Sequence, residues 1–431
     1  MSASTHIVRL PQLNNTYRTQ LQNGLTVIAT ENPTADIVSA RLLFKGGGRV
    51  EPAAKAGVAH LLSAVLTKGT DTLSSQDIAE KVESIGASLG ADATSDYCLV
   101  SFKTVSADFE TLLGLTAELV RSPSFPEHEV DLERRLTLQG IRSMQEQPFA
   151  IAYQHLRAAL YQDHPYASSG LGTEETVSHL TRDDIVTYYH THFCPEHMVV
   201  SLAGRIQPEV AIAQIEAAFG DWRPHPDAVA NTVPPSQLHI PKRSETVVEA
   251  QDTMQAIVML GYPAPSVHSE DYIGLKLLTT HLGNGLSSRL FVELREKRGL
   301  AYDVSAIYPT RIDWSHFVTY MGTAPVNVPA AIEGLQAEVN RICDSPLTDN
   351  EAQVAKNKLL GQYALGKQTN AQIAQLLGWY EILGLGVEFD QTFQDAVAHL
   401  SIDEMQAIAR RYLGGQPCLS LVGPEAAVCL P

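Results

Sequence analysis

The sequence lacks any apolar run near the roughly 18 residues that a membrane-spanning helix needs. Its first residues, MSASTHIVRLPQLNNTYRT, also lack the apolar core of a secretory signal. The five cysteines are scattered, odd in number and without a CxxC pair: Cys98, Cys194, Cys343, Cys418 and Cys429. Neither a disulfide framework nor a cysteine zinc site is therefore expected. Together these absences predict a cytoplasmic protein in a reducing compartment.

Positive charge is also scarce. The chain carries 31 Lys and Arg against 48 Asp and Glu, which gives a formal net charge of −17. Nucleic acids and anionic membranes reward clustered Lys and Arg, so neither is expected as the main partner. The 431 residues, 44% of them hydrophobic and 18% charged, are those of a globular protein with two or more domains.

Two segments of the chain repeat at an offset of about 220 residues. LTRDDIVTYYHTHFCPEHMVVSLAG begins at Leu180, and LSIDEMQAIARRYLGGQPCLSLVG begins at Leu400. Each opens with a Ser or Thr and an acidic residue, which is typical of a helix N-cap, and each ends in a strand-like Ser-Leu-x-Gly. A second pair, SPSFPEHEVDLERRLTLQG from Ser122 and SPLTDNEAQVAKNKLLGQ from Ser345, follows the same order. The sequence therefore predicts duplicated halves.

The boundary between the halves is expected in residues 223–243, which carry five prolines without clear periodicity and are typical of an extended linker. This predicts domains over 1–222 and 244–431. In the first half, strands are predicted in GLTVIATE, IVSARLLFKGG and ASLGADATSDYCLVSFKTV, and helices near 56–67, 75–86 and 108–121. The pattern favours α+β domains, each a sheet with helices on one face.

The segment AGVAHLLSAVLTKGT, residues 56–70, carries the strongest chemical pattern. In a helix, His60 and position 64 share a face one turn apart. Two histidines there could bind zinc, and a glutamate at position 63 could act as general base on a metal-bound water. This chain has His60, Ser63 and Ala64, so a lone imidazole remains.

GVAHLLSAVLTKGT resembles the G-x-A-H-F-L-E-H-M-x-F-K-G-T segment of the insulinase-like and mitochondrial-processing-peptidase family of zinc peptidases, family M16. HPYASSGLGTEETVSHLTRDDIVTYYHTHFCPEHMVVSLAG, AIVMLGYPAP and LSSRLFVELREKRGLAYDVSA agree with the same family, so the resemblance runs from about residue 17 to 423. It implies two related α+β domains, each a mostly antiparallel sheet with helices packed on one face.

In active members, the resemblance implies, a third zinc ligand is a glutamate 76 residues after the second histidine, and counting from Ala64 gives Gly140. Three of the four catalytic positions are thus lost in one register: Ser63, Ala64 and Gly140. A Ser63–His60 nucleophile pair is the alternative, but it has no evident orienting acid or oxyanion hole. A small residue on a helix face is the favoured interpretation of Ser63.

The second half, in contrast to the first, keeps the residues of its family motif. LREKRGLAY places Arg295 and Tyr302 seven residues apart, as in the family. The resemblance implies that this pair reaches the zinc-bearing half and hydrogen-bonds the scissile carbonyl, where a cation and a phenol suit a developing oxyanion. Upstream, the turn with Gly283 and Gly285 could pass close to a substrate backbone, or could be a plain loop at a helix start.

One further cluster contains potential metal ligands: His190, His192, Cys194 and His197. The resemblance assigns this segment to the turn between a helix and a strand, with no metal role. No metal site is therefore predicted in this chain.

We expect the non-catalytic subunit of a heterodimeric M16 peptidase, inactive alone and without its own cofactor. The partner would be a homologous subunit with an intact H-x-x-E-H and the zinc, and the substrate an unfolded segment or peptide held in extended form along a sheet edge. The chain alone could form a homodimer. The alternative is a non-enzymatic scaffold or peptide-binding protein of the same fold, against which the retained Arg295 and Tyr302 argue.

Overall fold

The computed structural model describes residues 8–10, 15–226 and 244–428. The chain divides into two compact units, neither continuous in sequence. The first has the bounds Met1–Ile141, Ser169–Pro234 and Ala364–Gln391, and the second has the bounds Arg142–Ser168, Pro235–Tyr363 and Thr392–Pro431. These boundaries differ from the predicted domains 1–222 and 244–431. Most of the predicted linker 223–243 lies outside the described residues, which stop at 226 and resume at 244.

Twelve strands form two sheets within the described residues. They are β1 (Val8–Leu10), β2 (Thr16–Gln20), β3 (Thr26–Glu31), β4 (Ile37–Lys45), β5 (Ser88–Ala93), β6 (Tyr97–Val105), β7 (Met198–Gly204), β8 (Thr246–Ala250), β9 (Ala256–Ala264), β10 (Ala301–Ile307), β11 (Ser315–Thr323) and β12 (Cys418–Gly423).

Fifteen α-helices accompany them in the same ranges. They are α1 (Val58–Val65), α2 (Ser75–Ser84), α3 (Phe109–Arg121), α4 (Glu127–Gln145), α5 (Pro148–Tyr161), α6 (Glu174–His179), α7 (Arg182–His192), α8 (Pro208–Phe219), α9 (Tyr272–Gly283), α10 (Val328–Asp344), α11 (Asp349–Leu365), α12 (Asn370–Ile382), α13 (Phe389–His399), α14 (Ile402–Leu413) and α15 (Glu425–Val428).

The two sheets share a five-strand arrangement, which the first sheet extends by β1 and β2. The first has the order β1-β2-β3-β7-β4-β6-β5 and the second the order β10-β11-β9-β12-β8. In each, a late strand lies between an early parallel neighbour and an antiparallel one: β7 between β3 and β4, and β12 between β8 and β9. All other pairs are antiparallel. The predicted α+β class with duplicated halves is thereby confirmed.

The predicted strands and helices of the first half are also present. β3 and β4 occupy the two predicted strands, and β5 and β6 form the predicted strand pair. The helices α1, α2 and α3 lie within or next to the three predicted ranges. Both repeat segments start with a capping box, in which Thr181 pairs with Asp184 and Ser401 with Glu404.

One face of the first sheet packs against helices of the first half of the chain. Along β4, Val38, Ala40, Leu42 and Phe44 are at most 1% exposed and belong to the core beneath α1, α3 and α7. Because side chains alternate across a strand, Ser39, Arg41 and Leu43 project to the opposite face.

That opposite face is covered by α12, which comes from the second half of the chain. A Cβ on Gly378 would lie 2.6 Å from Leu43 Cδ1 and 2.8 Å from Ser201 Cβ. The helix therefore packs so close to the sheet that a side chain larger than that of glycine does not fit at position 378. At its C-terminal end, Glu381 accepts two hydrogen bonds from the Arg18 guanidinium, at 3.1 and 2.5 Å. The expectation of helices on one face only is therefore corrected.

The second unit has the reciprocal arrangement. The helix α5, from the first half, packs against β9 and β12, where a Cβ on Gly261 would lie 2.7 Å from Leu156 Cδ1. Beside it, His316 is fully buried, with one ring nitrogen 2.7 Å from the Tyr153 hydroxyl and the other 2.7 Å from the Tyr161 hydroxyl. Each sheet therefore receives one helix from the other half of the chain. None of the described helices is long and apolar enough to cross a membrane.

Candidate functional site

The helix α1 carries three of the four degenerate motif positions, and its start is closely defined. Gly57 precedes it with φ +96°, and a Cβ there would lie 2.5 Å from the Leu171 carbonyl oxygen, so glycine is required. The Glu51 carboxylate accepts hydrogen bonds from the N–H groups of Gly57 (2.9 Å) and Ala59 (2.7 Å). Burial raises the pKa of Glu51 to about 7, against the lowering effect of these two bonds. Glu51 thus satisfies the first turn of α1.

His60 and Ala64 are both half-buried on α1. Burial lowers the pKa of His60, and the nearby carboxylates of Asp92 and Glu133 oppose that shift with smaller raising effects. Asp92 lies on the edge strand β5 and Glu133 on α4, so α1 faces acidic groups from both elements. Ala64 contributes no ligand atom.

Ser63 is only 3% exposed, and its hydroxyl lies beside the Cys98 thiol. Burial raises the pKa of Cys98 to about 11, which leaves a neutral thiol with no capacity to act as a base. Within the described residues, the Ser63 hydroxyl bonds no imidazole. The geometry therefore offers no base for a serine nucleophile and agrees with a small residue packed on the helix face.

Gly140 lies half-buried on α4, and the nearest atom to a Cβ there would be Leu171 Cδ1 at 3.9 Å. Across residues 8–10, 15–226 and 244–428, no three His, Cys, Asp or Glu side chains are grouped so that they could hold a metal ion. The positions 60, 63, 64 and 140 offer one imidazole between them. Since a zinc site needs at least three protein ligands, these residues do not fit the metal.

The histidine-rich segment spans the last turn of α7, which contains His190 and His192, and the turn that leads into β7. Cys194 and His197 are 2% and 6% exposed, and burial lowers the pKa of His192 to about 4. The His190 ring stacks on His225 with 3.9 Å between centroids. These contacts account for the cluster as core and stacking residues.

Arg295 lies in a π-helical segment, Phe291–Glu296. The side chain is exposed, and its guanidinium carbon lies 4.9 Å from the centroid of the Phe291 ring. The Lys297 N–H bonds the Val292 carbonyl five residues back, at 3.0 Å, which is the π-helical spacing. Such segments are rare and recur at functional sites. Arg295 is therefore presented to solvent by an irregular turn and held by a cation–π contact.

Tyr302 lies on a second irregularity, a β-bulge at the start of the edge strand β10. The pairing with β11 shifts between Ala301 and Asp303, which leaves Tyr302 without a partner residue in the ladder. Its side chain is 61% exposed. A bulge redirects a side chain away from the regular alternation of the strand. Gly299, whose φ is +62°, lies in the connection between the π-helical segment and the β-bulge.

The glycines upstream have evident packing roles. A Cβ on Gly283, the last residue of α9, would lie 1.9 Å from the Ala306 backbone nitrogen, and its carbonyl accepts a 2.6 Å hydrogen bond from Ser305. Gly285 adopts φ +78°, and its carbonyl accepts a hydrogen bond from the Ser288 N–H. Gly283 therefore permits α9 to contact β10, and Gly285 forms the turn that follows.

Sequence reasoning missed three features: the carboxylate of Glu51, the π-helical segment and the bulge. The Glu51 carboxylate accepts hydrogen bonds from N–H groups six and eight residues later, a spacing that no helix pattern predicts. The irregular segments leave one signal in sequence, the glycine in KRGLAY, which marks a left-handed turn directly before a strand.

Two family models match the chain. Residues 26–174 match "Insulinase (Peptidase family M16)", and residues 179–359 match "Peptidase M16 inactive domain". An uncharacterized zinc protease of Streptomyces coelicolor is 29% identical over 410 residues, covering 94% of this chain and 89% of that protein.

Two solved structures share the fold. A peptidase M16 inactive domain from Pseudomonas fluorescens superposes with a TM-score of 0.86 at 24% identity, covering 95% of this chain and 98% of the other. A protease from Helicobacter pylori gives a TM-score of 0.88 at 23% identity, covering 96% and 100%. The predicted resemblance and the two-domain fold are thereby confirmed.

Proposed function

The chain belongs to peptidase family M16, and we propose that it is the non-catalytic subunit of a heterodimeric M16 zinc peptidase. In this role it supplies Arg295 and Tyr302 to a partner subunit that carries an intact H-x-x-E-H and the zinc. The observation that carries the proposal is an asymmetry. Two of the three ligand positions, Ala64 and Gly140, have lost their donors. By contrast, Arg295 and Tyr302 are exposed on two irregular segments.

Hydrolysis by this chain alone is not expected, because positions 63, 64 and 140 offer no base and no ligand. His60 by itself is half-buried, and burial lowers its pKa. The loss involves three positions on two helices, so no single substitution would restore the site.

Arg295 and Tyr302 suit the binding of a carbonyl oxygen that becomes negative. A guanidinium provides a permanent positive charge with several N–H donors, and a phenol provides one O–H donor. Each would donate a hydrogen bond to the scissile carbonyl oxygen, and each would bind more tightly as charge develops there. The stacking of Arg295 on Phe291 restricts the guanidinium before substrate arrives.

The substrate would be an unfolded segment or a peptide in extended form. The strands β5 and β10 end the order of their sheets and pair on one side only within the described residues. An extended chain can add to such an edge through main-chain hydrogen bonds. β5 contacts α1, and β10 carries Tyr302, so both edges adjoin motif positions.

The rival function is a scaffold or a peptide-binding protein of the same fold that never supports cleavage. The lost ligand positions favour it as much as they favour the subunit role. The exposed pair Arg295 and Tyr302 argues against it, because a scaffold has no need of an oxyanion-binding cation and phenol.

The test begins by purifying the tagged chain from its native cells and identifying any co-purifying chain with H-x-x-E-H. Peptidase turnover of that complex is then measured for Arg295→Ala and Tyr302→Phe. Removal of one oxyanion donor is expected to lower kcat by about 100- to 1,000-fold. Lys297→Ala is the matched control, since Lys297 is a neighbouring exposed cation whose ion-pair partner among the described residues is Glu293.

Full activity of the control with loss in both variants would support the subunit role. Unchanged turnover in both variants would favour the scaffold. Peptide hydrolysis and stoichiometric zinc in the isolated chain would refute the proposal.

A further inference from the structure

A cleft in the first unit lies between α12 and the strands β4 and β6, and the proposed function does not use it. Its volume is about 460 Å³, and its lining includes Arg41, Tyr97, Gln375, Leu376 and Trp379. This volume falls within the roughly 300–1,000 Å³ typical of sites for small ligands. The cleft is therefore large enough for a small organic molecule or the end of a peptide.

Arg41 is the charged group of this cleft. It lies on β4, two residues before Leu43, and so projects to the face that α12 covers. The side chain is half-buried and makes one hydrogen bond, from Nη1 to the Ala40 carbonyl oxygen at 2.9 Å. No described carboxylate forms an ion pair with it, and burial lowers its pKa. Since arginine stays charged in proteins, the cleft holds a cation without a counter-ion.

The described lining of the cleft contrasts with the composition of this chain. The chain carries 48 acidic residues against 31 basic ones, yet none of the described residues that line the cleft is acidic. A half-buried charge without a partner is unfavourable, and a bound anion would offset that cost. The cleft is therefore electrostatically suited to an anion.

The other lining residues indicate what kind of group is attached to the anionic group of the ligand. Trp379 and Leu376 provide an apolar surface, and both are partly exposed. Gln375 donates a long hydrogen bond of 3.5 Å to the Tyr97 hydroxyl, which leaves that hydroxyl able to donate to a ligand. One cation, a few neutral polar groups and an aromatic plane match a carboxylate attached to an apolar group, and give little support for a multiply charged phosphate.

We propose that the Arg41–Trp379 cleft binds an organic carboxylate with an apolar body, with the carboxylate on the Arg41 guanidinium and the apolar group against Trp379. Two sources share this chemistry: the C-terminal residue of a peptide and a free hydrophobic acid. The site does not depend on the subunit role, because it lies within the first unit of this chain and binding can be measured without any partner.

The experiment is isothermal titration calorimetry on the full chain with paired probes. The peptide acetyl-Ala-Ala-Phe is titrated with a free C-terminus and as its amide, and 3-phenylpropionate is compared with 3-phenylpropanamide. A charge-assisted hydrogen-bonded pair corresponds to a preference for the acid of at least about tenfold in Kd. The preference should weaken as salt is raised.

Three variants locate the binding. Arg41→Met removes the charge while keeping an extended apolar side chain, and it should abolish the preference for the acid. Arg41→Lys keeps the charge without the planar fork and should show an intermediate preference. Arg135→Met is the matched control, because Arg135 is an exposed arginine of the same unit on α4. Arg41→Met should leave the melting temperature unchanged or raised, since it removes an uncompensated charge.

The outcomes separate clearly. Loss of the acid preference in Arg41→Met but not in Arg135→Met supports the site. A peptide acid that binds at least tenfold more tightly than 3-phenylpropionate identifies a peptide C-terminus, and the reverse identifies a free acid. Equal binding of acids and amides, wild-type binding by Arg41→Met, or no binding of any probe at millimolar concentration would overturn the proposal.

Discussion

Replacing Gly378 by alanine tests the least expected feature of the fold, the packing of α12 on the first sheet. The added methyl group would meet Leu43 Cδ1 at 2.6 Å and Ser201 Cβ at 2.8 Å. The leucine side chain can rotate away, but Ser201 lies on β7, in the interior of the sheet, and its Cβ moves only with the backbone. The helix must therefore shift outward by several tenths of an ångström.

The expected cost is the difference between two opposing effects. Overpacking of a well-packed contact costs about 1–3 kcal/mol, whereas alanine in place of glycine inside a helix contributes up to about 1 kcal/mol. We expect a net destabilisation on the order of 1–2 kcal/mol. The matched control is Gly361→Ala in α11, where a Cβ would meet nothing within 4 Å, so only the favourable helix effect remains.

Urea unfolding followed by circular dichroism gives the free energies, and hydrogen–deuterium exchange of peptides from residues 370–382 gives the local effect. Exchange in α12 should accelerate in Gly378→Ala and stay unchanged in Gly361→Ala. If both variants are equally stable and α12 exchanges as in the wild type, Gly378 does not pack closely against Leu43 and Ser201, and the predicted steric clash is refuted.

Two further predictions concern α1. The folded-state pKa of Glu51, about 7, exceeds its ordinary value of 4.5, so its stabilising contribution is complete below about pH 4.5 and is lost as pH rises through 7. Relative to Glu51→Gln, the wild type should lose up to about 3 kcal/mol of unfolding free energy between pH 5 and 8 in urea titrations, and parallel pH profiles would contradict this. The double variant Ala64→His/Gly140→Glu should gain one zinc per chain by elemental analysis, because with His60 it restores three ligands. Failure of that variant, while still folded, to bind zinc would show that α1 and α4 do not hold the three positions around one point.

The residues of the candidate site could be proposed from sequence, because the expected chemistry depends on residue type at fixed spacing. Ser63, Ala64 and Gly140 lack the atoms that a metal or a base requires, whatever their surroundings. Likewise, the spacing of Arg295 and Tyr302 matched the family without reference to coordinates. What the sequence did not reveal is how these two are presented, since a π-helical turn and a β-bulge arise from backbone hydrogen bonding that side-chain patterns barely record.

The duplicated α+β architecture was determined by the sequence alone, because hydrophobic periodicity and helix caps are local properties and the repeat carried them twice. Only the tertiary structure decided which sheet each helix packs against. The exchange of α5 and α12 between the halves depends on contacts such as Gly261 with Leu156 and Gly378 with Ser201, which are distant in sequence. Local periodicity fixes that a helix forms and which of its sides is apolar, but the sheet that covers that side is selected by packing across the whole chain.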